Sequence, residues 1–240
     1  MRVRSVLFWR CSRSRTSIAA SGVCSIAGAY DHRIPTVAPG EYRRHVPIFA
    51  CFDVETTALD PKGGRVIEVA VVRVQDDGTV VGEWSTLVNA GVADLGRTDI
   101  HGIRRTWLET SPAFATIAGD LAHELSGCVP VAHNAGFDVG FLRAEWDRAG
   151  LGVLDLVAVD TLRMARQLGY PGKLGLLAEA LGVPLVDAHQ ALDDTRALAS
   201  VLVALLERGG ELPSPLPAFW PPLLTPTPSG QVALRPAQVA

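Results

Sequence analysis

Two acids, one residue apart at the end of an apolar run, constrain this chain more than any other feature. The run is Phe49-Ala50-Cys51-Phe52-Asp53-Val54-Glu55-Thr56-Thr57, which reads as a short buried strand. Strand side chains alternate between faces, so Asp53 and Glu55 point one way and Val54 the other. Two carboxylates on one face, at the edge of a hydrophobic core, cost free energy unless a positive charge lies between them. A hard divalent cation answers that need, because it takes oxygen ligands. The alternative is a solvated strand end with two ordinary surface acids, and this stretch alone does not separate the two. The decision rests on Asp138, His189 and Asp194, far downstream.

At 240 residues the chain is long enough for one sizeable core. No apolar run approaches bilayer-spanning length, so no membrane partner is expected. The net charge of −3 hides an asymmetry. Residues 1–48 carry eight arginines against Asp31 and Glu41, which leaves the remainder with 14 basic and 23 acidic residues. An acidic body argues against gripping phosphates by net charge alone and suits a body that gathers acids around a metal. The cysteines, Cys11, Cys24, Cys51 and Cys128, show no metal-ligand spacing. Cys51 and Cys128 lie in apolar runs, as reduced buried thiols of a cytoplasmic protein would.

Residues 1–46 are rich in Arg and Ser. They lack the apolar segment of a secretory signal and resemble either a transit peptide or, the reading preferred here, a disordered extension. From residue 209 onward the prolines 213, 215, 217, 221, 222, 226, 228 and 236 exclude regular helix and central strand. Residues 209–240 are therefore expected to form a disordered Pro-rich tail, dispensable for chemistry. One domain, residues 47–208, lies between.

Within it, strands are expected at 48–53, 65–74 and 80–88, the latter two joined by an Asp76-Asp77-Gly78 turn. A short strand follows at 129–132 and a fifth at 154–159. Helices are expected from Ser111-Pro112 through Leu125, over 136–149, 161–168 and 173–181, and from Asp194 to Glu207 with Leu198, Val201, Leu202 and Leu205 on one face. An antiparallel meander followed by alternating strands and helices predicts an α/β fold, a mixed five-stranded sheet flanked by helices.

Three acids and a histidine then need places. His133-Asn134-Ala135-Gly136-Phe137-Asp138 follows the fourth strand and opens a helix, where the dipole favours an acid. His189-Gln190-Ala191-Leu192-Asp193-Asp194 leads into the last helix. Singly, Asp138 could be a helix-start acid, Asn134 a cap, and His189 a surface histidine.

Together with Asp53-Val54-Glu55-Thr56-Thr57 they form an ordered set. The set resembles the three exonuclease motifs of the DEDDh family of 3′–5′ exonucleases, to which the epsilon proofreading subunit of bacterial DNA polymerase III belongs. The likeness runs over about residues 47–206 and includes His101-Gly102-Ile103. It implies a ribonuclease-H-like sheet, with Asp53, Glu55, Asp138 and Asp194 holding two divalent metal ions, Mg²⁺ or Mn²⁺ in its place. It implies that His189 is the general base. It makes Thr56, Thr57 and Leu59 the segment that meets the terminal nucleotide, with His101 and Asn134 as further substrate contacts. The family's spacing of five from the histidine selects Asp194 over Asp193. Ala58 stands where the family often has Gly. Phe137, Phe141 and Leu142 read as core residues, not as base-stacking ones.

The function so implied is removal of nucleoside 5′-monophosphates from the 3′ ends of nucleic acid, single-stranded DNA first, for replication or repair. A DNA polymerase is a potential partner. Two alternatives stand beside it: trimming of RNA 3′ ends, and a non-catalytic nucleic-acid-binding module, which the intact acids disfavour.

Overall fold

The computed structural model describes residues 46–185 and 189–236. The expected N-terminal extension, except Val46, lies outside the described residues, as do Cys11 and Cys24. A five-stranded sheet forms from β1 (Phe49–Thr56), β2 (Val66–Val74), β3 (Val80–Leu87), β4 (Val129–Ala132) and β5 (Val159–Asp160), in the order β3-β2-β1-β4-β5. β1 pairs antiparallel with β2 and parallel with β4, and β4 parallel with β5, so the sheet is mixed as the element order predicts. The Asp76–Gly78 turn joins β2 to β3, with Gly78 at φ +87, where a side chain is disfavoured.

Alternation along β1 divides the core. Ala50, Phe52 and Val54 face one layer, with α3 (Phe114–Leu125) and α4 (Gly136–Arg148) packed over it. Phe49 and Cys51 face the other, beneath α5 (Thr161–Gln167), α6 (Leu174–Leu181) and α7 (Ala191–Glu207). The β-branched run in β2 is buried on both faces, which stabilises by roughly 1.5–3 kcal/mol per large apolar side chain. Two four-residue helices, α1 (Thr98–His101) and α2 (Arg105–Leu108), flank a small apolar cluster of Ile67, Leu87, Leu95, Ile103 and Leu108 and were not expected from the sequence.

Four boundaries differ from expectation by three residues or more. β1 runs on to Thr56 instead of ending at Asp53, still paired with β2 through Glu55 and Glu68. The helix expected from Ser111 begins at Phe114, because the Pro112 carbonyl accepts the Asn89 N–H at 2.8 Å and Ala113 is extended. The fifth strand shrinks to Val159–Asp160. Its expected start, Leu154 and Leu156, buries side chains in the core, while the Leu156 carbonyl turns to the Arg143 guanidinium at 2.9 Å. The last helix begins at Ala191, three residues earlier than predicted. Gln190 supplies no side-chain cap. The Glu68 carboxylate of β2 instead accepts the Ala191 N–H at 3.1 Å, satisfying one of the donors a helix start leaves open.

The expectation of a disordered tail needs correction. Residues 209–236 carry no helix or strand, yet they run along the domain as a strap. Phe219 is buried in the core, and its main chain bonds to Gly127 and Cys128 at 2.9 Å each; Trp220 beside it is exposed. Ser229 and Gly230 donate three hydrogen bonds of 2.7–2.8 Å to Asp120 on α3. Ala233 receives the Leu87 N–H at 2.7 Å. Proline removes ladder and helix donors, but carbonyls, side chains and the remaining N–H groups still bind the strap down.

Candidate metal and catalytic site

The site lies at the carboxyl ends of the parallel strands β1, β4 and β5, the usual place for ligands in open α/β sheets. Asp53 and Glu55 continue the Phe49–Cys51 face of β1, toward α7. Asp194 in the first turn of α7 meets them there. One carboxylate oxygen from each of Asp53, Glu55 and Asp194 lies within 4.8 Å of the others. Asp138 comes from the other side of the sheet. β4 ends at Ala132, which leaves the Val54 N–H without a strand partner, and Asp138 in the first turn of α4 accepts it at 3.2 Å. Burial of Asp138 at 3% exposure and this bond hold it against the β1 edge.

The electrostatics follow from this crowding. Burial, then the neighbouring Asp138, Glu55, Asp194 and Glu68, push the Asp53 carboxyl far above the ordinary carboxylate range. Burial and Glu68 push Glu55 up to about 8, against a lowering pull from Arg235. Burial pushes Asp138 up to about 7, despite the Val54 N–H that favours its charged form. Asp194 is raised by burial, which the bond from the His189 N–H partly offsets. Two unit charges about 4.8 Å apart repel by roughly 3 kcal/mol at an effective dielectric of 20, less where water screens them. Three such pairs would rival the whole stability of a domain. These residues fit divalent cations: all donors are hard carboxylate oxygens, and no Lys or Arg side chain among the described residues forms an ion pair with any of the four.

Asp193 is drawn elsewhere, into an ion pair with Arg196 at 2.9 Å, and Arg196 also binds Glu83 at 2.6 Å. His189 is exposed on the loop before α7, and its N–H donates to Asp194 at 3.0 Å. Both His189, at φ +72, and Asn134, at φ +64, are non-glycine residues in the left-handed region. Such conformations cost roughly 1–3 kcal/mol and persist where surroundings impose them. The Asn134 N–H donates to Asp160, which also caps α5, at 3.0 Å.

The expected substrate contacts divide. Leu59 is 85% exposed in the loop that follows β1. Thr56 and Thr57 hold the turn itself: the Thr56 hydroxyl donates to the Ala58 carbonyl at 2.7 Å, and the Thr57 hydroxyl accepts the Arg65 N–H at 3.0 Å. Ala58 thus fits where a glycine was expected. The ring of His101 is buried, and both its nitrogens are engaged within the chain. Nε2 bonds the Leu95 carbonyl at 3.0 Å and Nδ1 accepts the Ile103 N–H at 3.1 Å. Phe141 and Leu142 are fully buried, and Phe137 packs on Phe141.

Glu68 was missed by sequence reasoning. It faces Glu55 across the β1–β2 ladder and is nearly buried. An acid within the apolar run Val66-Ile67-Glu68-Val69-Ala70 was the available signal, since such a charge needs a partner.

Comparison with known proteins agrees with this fold. The family model described as "Exonuclease", of the RNase T type, matches residues 50–202. A DNA polymerase III subunit epsilon-like protein of Rhodobacter capsulatus is 36% identical over 167 residues, which is 66% of this chain and 23% of that protein. A PolC-type DNA polymerase III of Clostridium perfringens is 32% identical over 177 residues, 72% of this chain and 12% of that protein. The chain therefore spans less than a quarter of these curated relatives. Among solved structures, a full-length 3′-exonuclease superposes with a TM-score of 0.63 at 17% identity, over 76% of this chain and 71% of that one. Exonuclease X in complex with 5′-overhanging duplex DNA superposes with a TM-score of 0.56 at 24% identity, over 70% and 96%. At these identities the structures show a shared fold, the ribonuclease-H-like mixed sheet with helices on both faces.

Proposed function

The chain belongs to the DEDDh family of 3′–5′ exonucleases, and from that premise we propose that it hydrolyses the terminal phosphodiester at the 3′ end of DNA. It releases nucleoside 5′-monophosphates one at a time, from single strands in preference to duplex. The observation that carries this reading is the meeting of Asp53, Glu55 and Asp194 within 4.8 Å, with Asp138 hydrogen-bonded to the next residue of the same strand.

Two divalent cations, Mg²⁺ or Mn²⁺, would be held by Asp53, Glu55, Asp138 and Asp194, and would supply charge neutralisation for the attacking and leaving oxygens. The rest falls to the chain's own side chains. His189, exposed beside Asp194, takes a proton from the attacking water as the new P–O bond forms. The bond from phosphorus to the 3′ oxygen of the preceding nucleotide breaks, and that oxygen leaves as a hydroxyl once protonated. Leu59 orients the terminal base, and the turn bonded through Thr56 and Thr57 sets the position of Leu59. A paired end must first unpair, at a cost of roughly a few kcal/mol, which favours single strands. With a net acidic body, binding depends on the last nucleotides and shows a shallow salt dependence.

The test compares single-stranded DNA, duplex DNA and RNA, each labelled at the 5′ end, with Mg²⁺, with Mn²⁺ and with chelator. A ladder shortening from the 3′ end of single-stranded DNA, abolished by chelator, is expected. Faster degradation of RNA would move the protein to RNA trimming. Binding without cleavage of any of the three would make it a binding module.

A further inference from the structure

We propose that Arg235, on the C-terminal strap, is a positioning residue for the loop that carries His189. The proposal rests on the exonuclease reading of the site. The Arg235 guanidinium makes a two-pronged ion pair with Glu68, Nε to Oε1 at 2.7 Å and Nη2 to Oε2 at 2.6 Å. Nη1 donates to the His101 carbonyl at 2.6 Å, and Nη2 also donates to the His189 carbonyl at 3.1 Å. Both side chains are nearly buried, at 12% and 6% exposure, so this is no solvated surface pair.

The loop is thereby held at consecutive points. Asp194 takes the N–H of His189, Arg235 takes its carbonyl, and Glu68 takes the N–H of Ala191. His189 stands at φ +72. A non-glycine residue keeps such a conformation only where its neighbours over-determine it. Of the three holds, one is Arg235 directly, and a second depends on it, because Glu68 without its guanidinium is a nearly buried carboxylate left opposite Glu55. A planar fork that reaches both a carboxylate and a carbonyl is something lysine does not provide.

The test uses the full-length protein with Arg235→Ala and Arg235→Lys. For Arg235→Ala, kcat on single-stranded DNA is expected to fall by about ten- to a hundredfold with KM changed by less than about threefold, the mark of lost alignment rather than lost binding. Arg235→Lys restores the charge beside Glu68 and recovers part of kcat. Hydrogen exchange supplies a readout independent of turnover: amides of residues 189–194 exchange faster in Arg235→Ala, while those of residues 197–205 keep their protection. Wild-type kcat in Arg235→Ala, a loss of kcat that only tracks the folded fraction, or unchanged exchange at 189–194 would each overturn the proposal. Absence of cleavage by the wild-type protein would instead overturn the exonuclease reading, and the exchange comparison would still decide the role of Arg235.

Discussion

Glu55 and Glu68 are direct cross-strand partners in the β1–β2 ladder, two carboxylates side by side on one face of the sheet. Like charges so placed destabilise a strand pair. Glu68 is answered by Arg235 at 2.6 Å. Glu55 forms no ion pair among the described residues, and burial and Glu68 push its carboxyl up to about 8 against the pull of Arg235. The sheet has left one of two neighbouring acids for a cation to neutralise.

Metal-free protein should therefore lose stability as pH rises. Glu55 at about 8 and Asp138 at about 7 bind protons more tightly in the folded chain than in the unfolded one. Their contribution is present below the ordinary carboxylate range and is lost as pH climbs through those raised values. In chelator, thermal unfolding at about pH 8 should come at lower temperature than at about pH 6, and Mg²⁺ should restore the difference at the higher pH. A melting temperature that rises with pH in chelator would contradict the charge cluster.

Asp194 and Asp193 should separate in mutagenesis. Asp194→Ala removes a carboxylate from the cluster and should lower kcat by about a hundredfold or more, some 3 kcal/mol of barrier. Asp193→Ala breaks a part-exposed pair with Arg196 and should stay within about threefold of wild type. Single-turnover rates on a labelled oligonucleotide make the comparison, and the reverse ranking would shift the metal site by one residue.

Asp138→Asn should part stability from activity. The amide oxygen can still accept the Val54 N–H, and a buried charge is gone, so the unfolding midpoint should hold or rise. Activity should fall by about a hundredfold or more. Urea titration and turnover on the same preparation decide it; an unfolded variant would mean that the carboxylate is chiefly structural.

Two helix glycines should respond with opposite signs to alanine. A Cβ on Gly140 of α4 meets only the Pro61 ring at 3.7 Å, so Gly140→Ala should stabilise by about 0.5–1 kcal/mol through helix propensity. On Gly119 of α3 a Cβ would lie 2.4 Å from the Pro226 carbonyl oxygen and 2.6 Å from that of Thr227. Backbone cannot give way as a flexible side chain does, so Gly119→Ala should destabilise by about 1–3 kcal/mol by forcing the strap outward. Equal gains in urea midpoint would mean that the strap is not seated on α3.

The sheet was readable because its signals are local. The β-branched run of β2 and the period-two alternation of β1 name strands without tertiary information, and Asp53 and Glu55 inherit their shared face from that period. Asp138 and Asp194 were readable as helix-start acids, and only the family pattern joined them to β1. The strap was not readable. What holds it includes the buried Phe219, main-chain bonds to Gly127, Cys128 and Leu87, three bonds to Asp120 and the fork of Arg235, none of which leaves a period in the sequence. A motif position does not say where a ring points, so the bonds of the His101 nitrogens to Leu95 and Ile103 were not readable either. The short helices α1 and α2 span four residues each, too few for a hydrophobic stripe to register.

The strap also orders events in time. Glu68 and Arg235 are 167 residues apart in the chain. Closing so long a loop costs little more free energy than closing one half its length, about 0.6 kcal/mol, but contacts of such separation form late on the folding route. Hairpin β2–β3 can settle first from local contacts, whereas Asp194 meets Asp53, and Arg235 meets Glu68, only when the far end of the chain returns to the sheet. The hairpin and the acid cluster then arrive at different moments, and the side chain that grips the loop of His189 docks with the second of them.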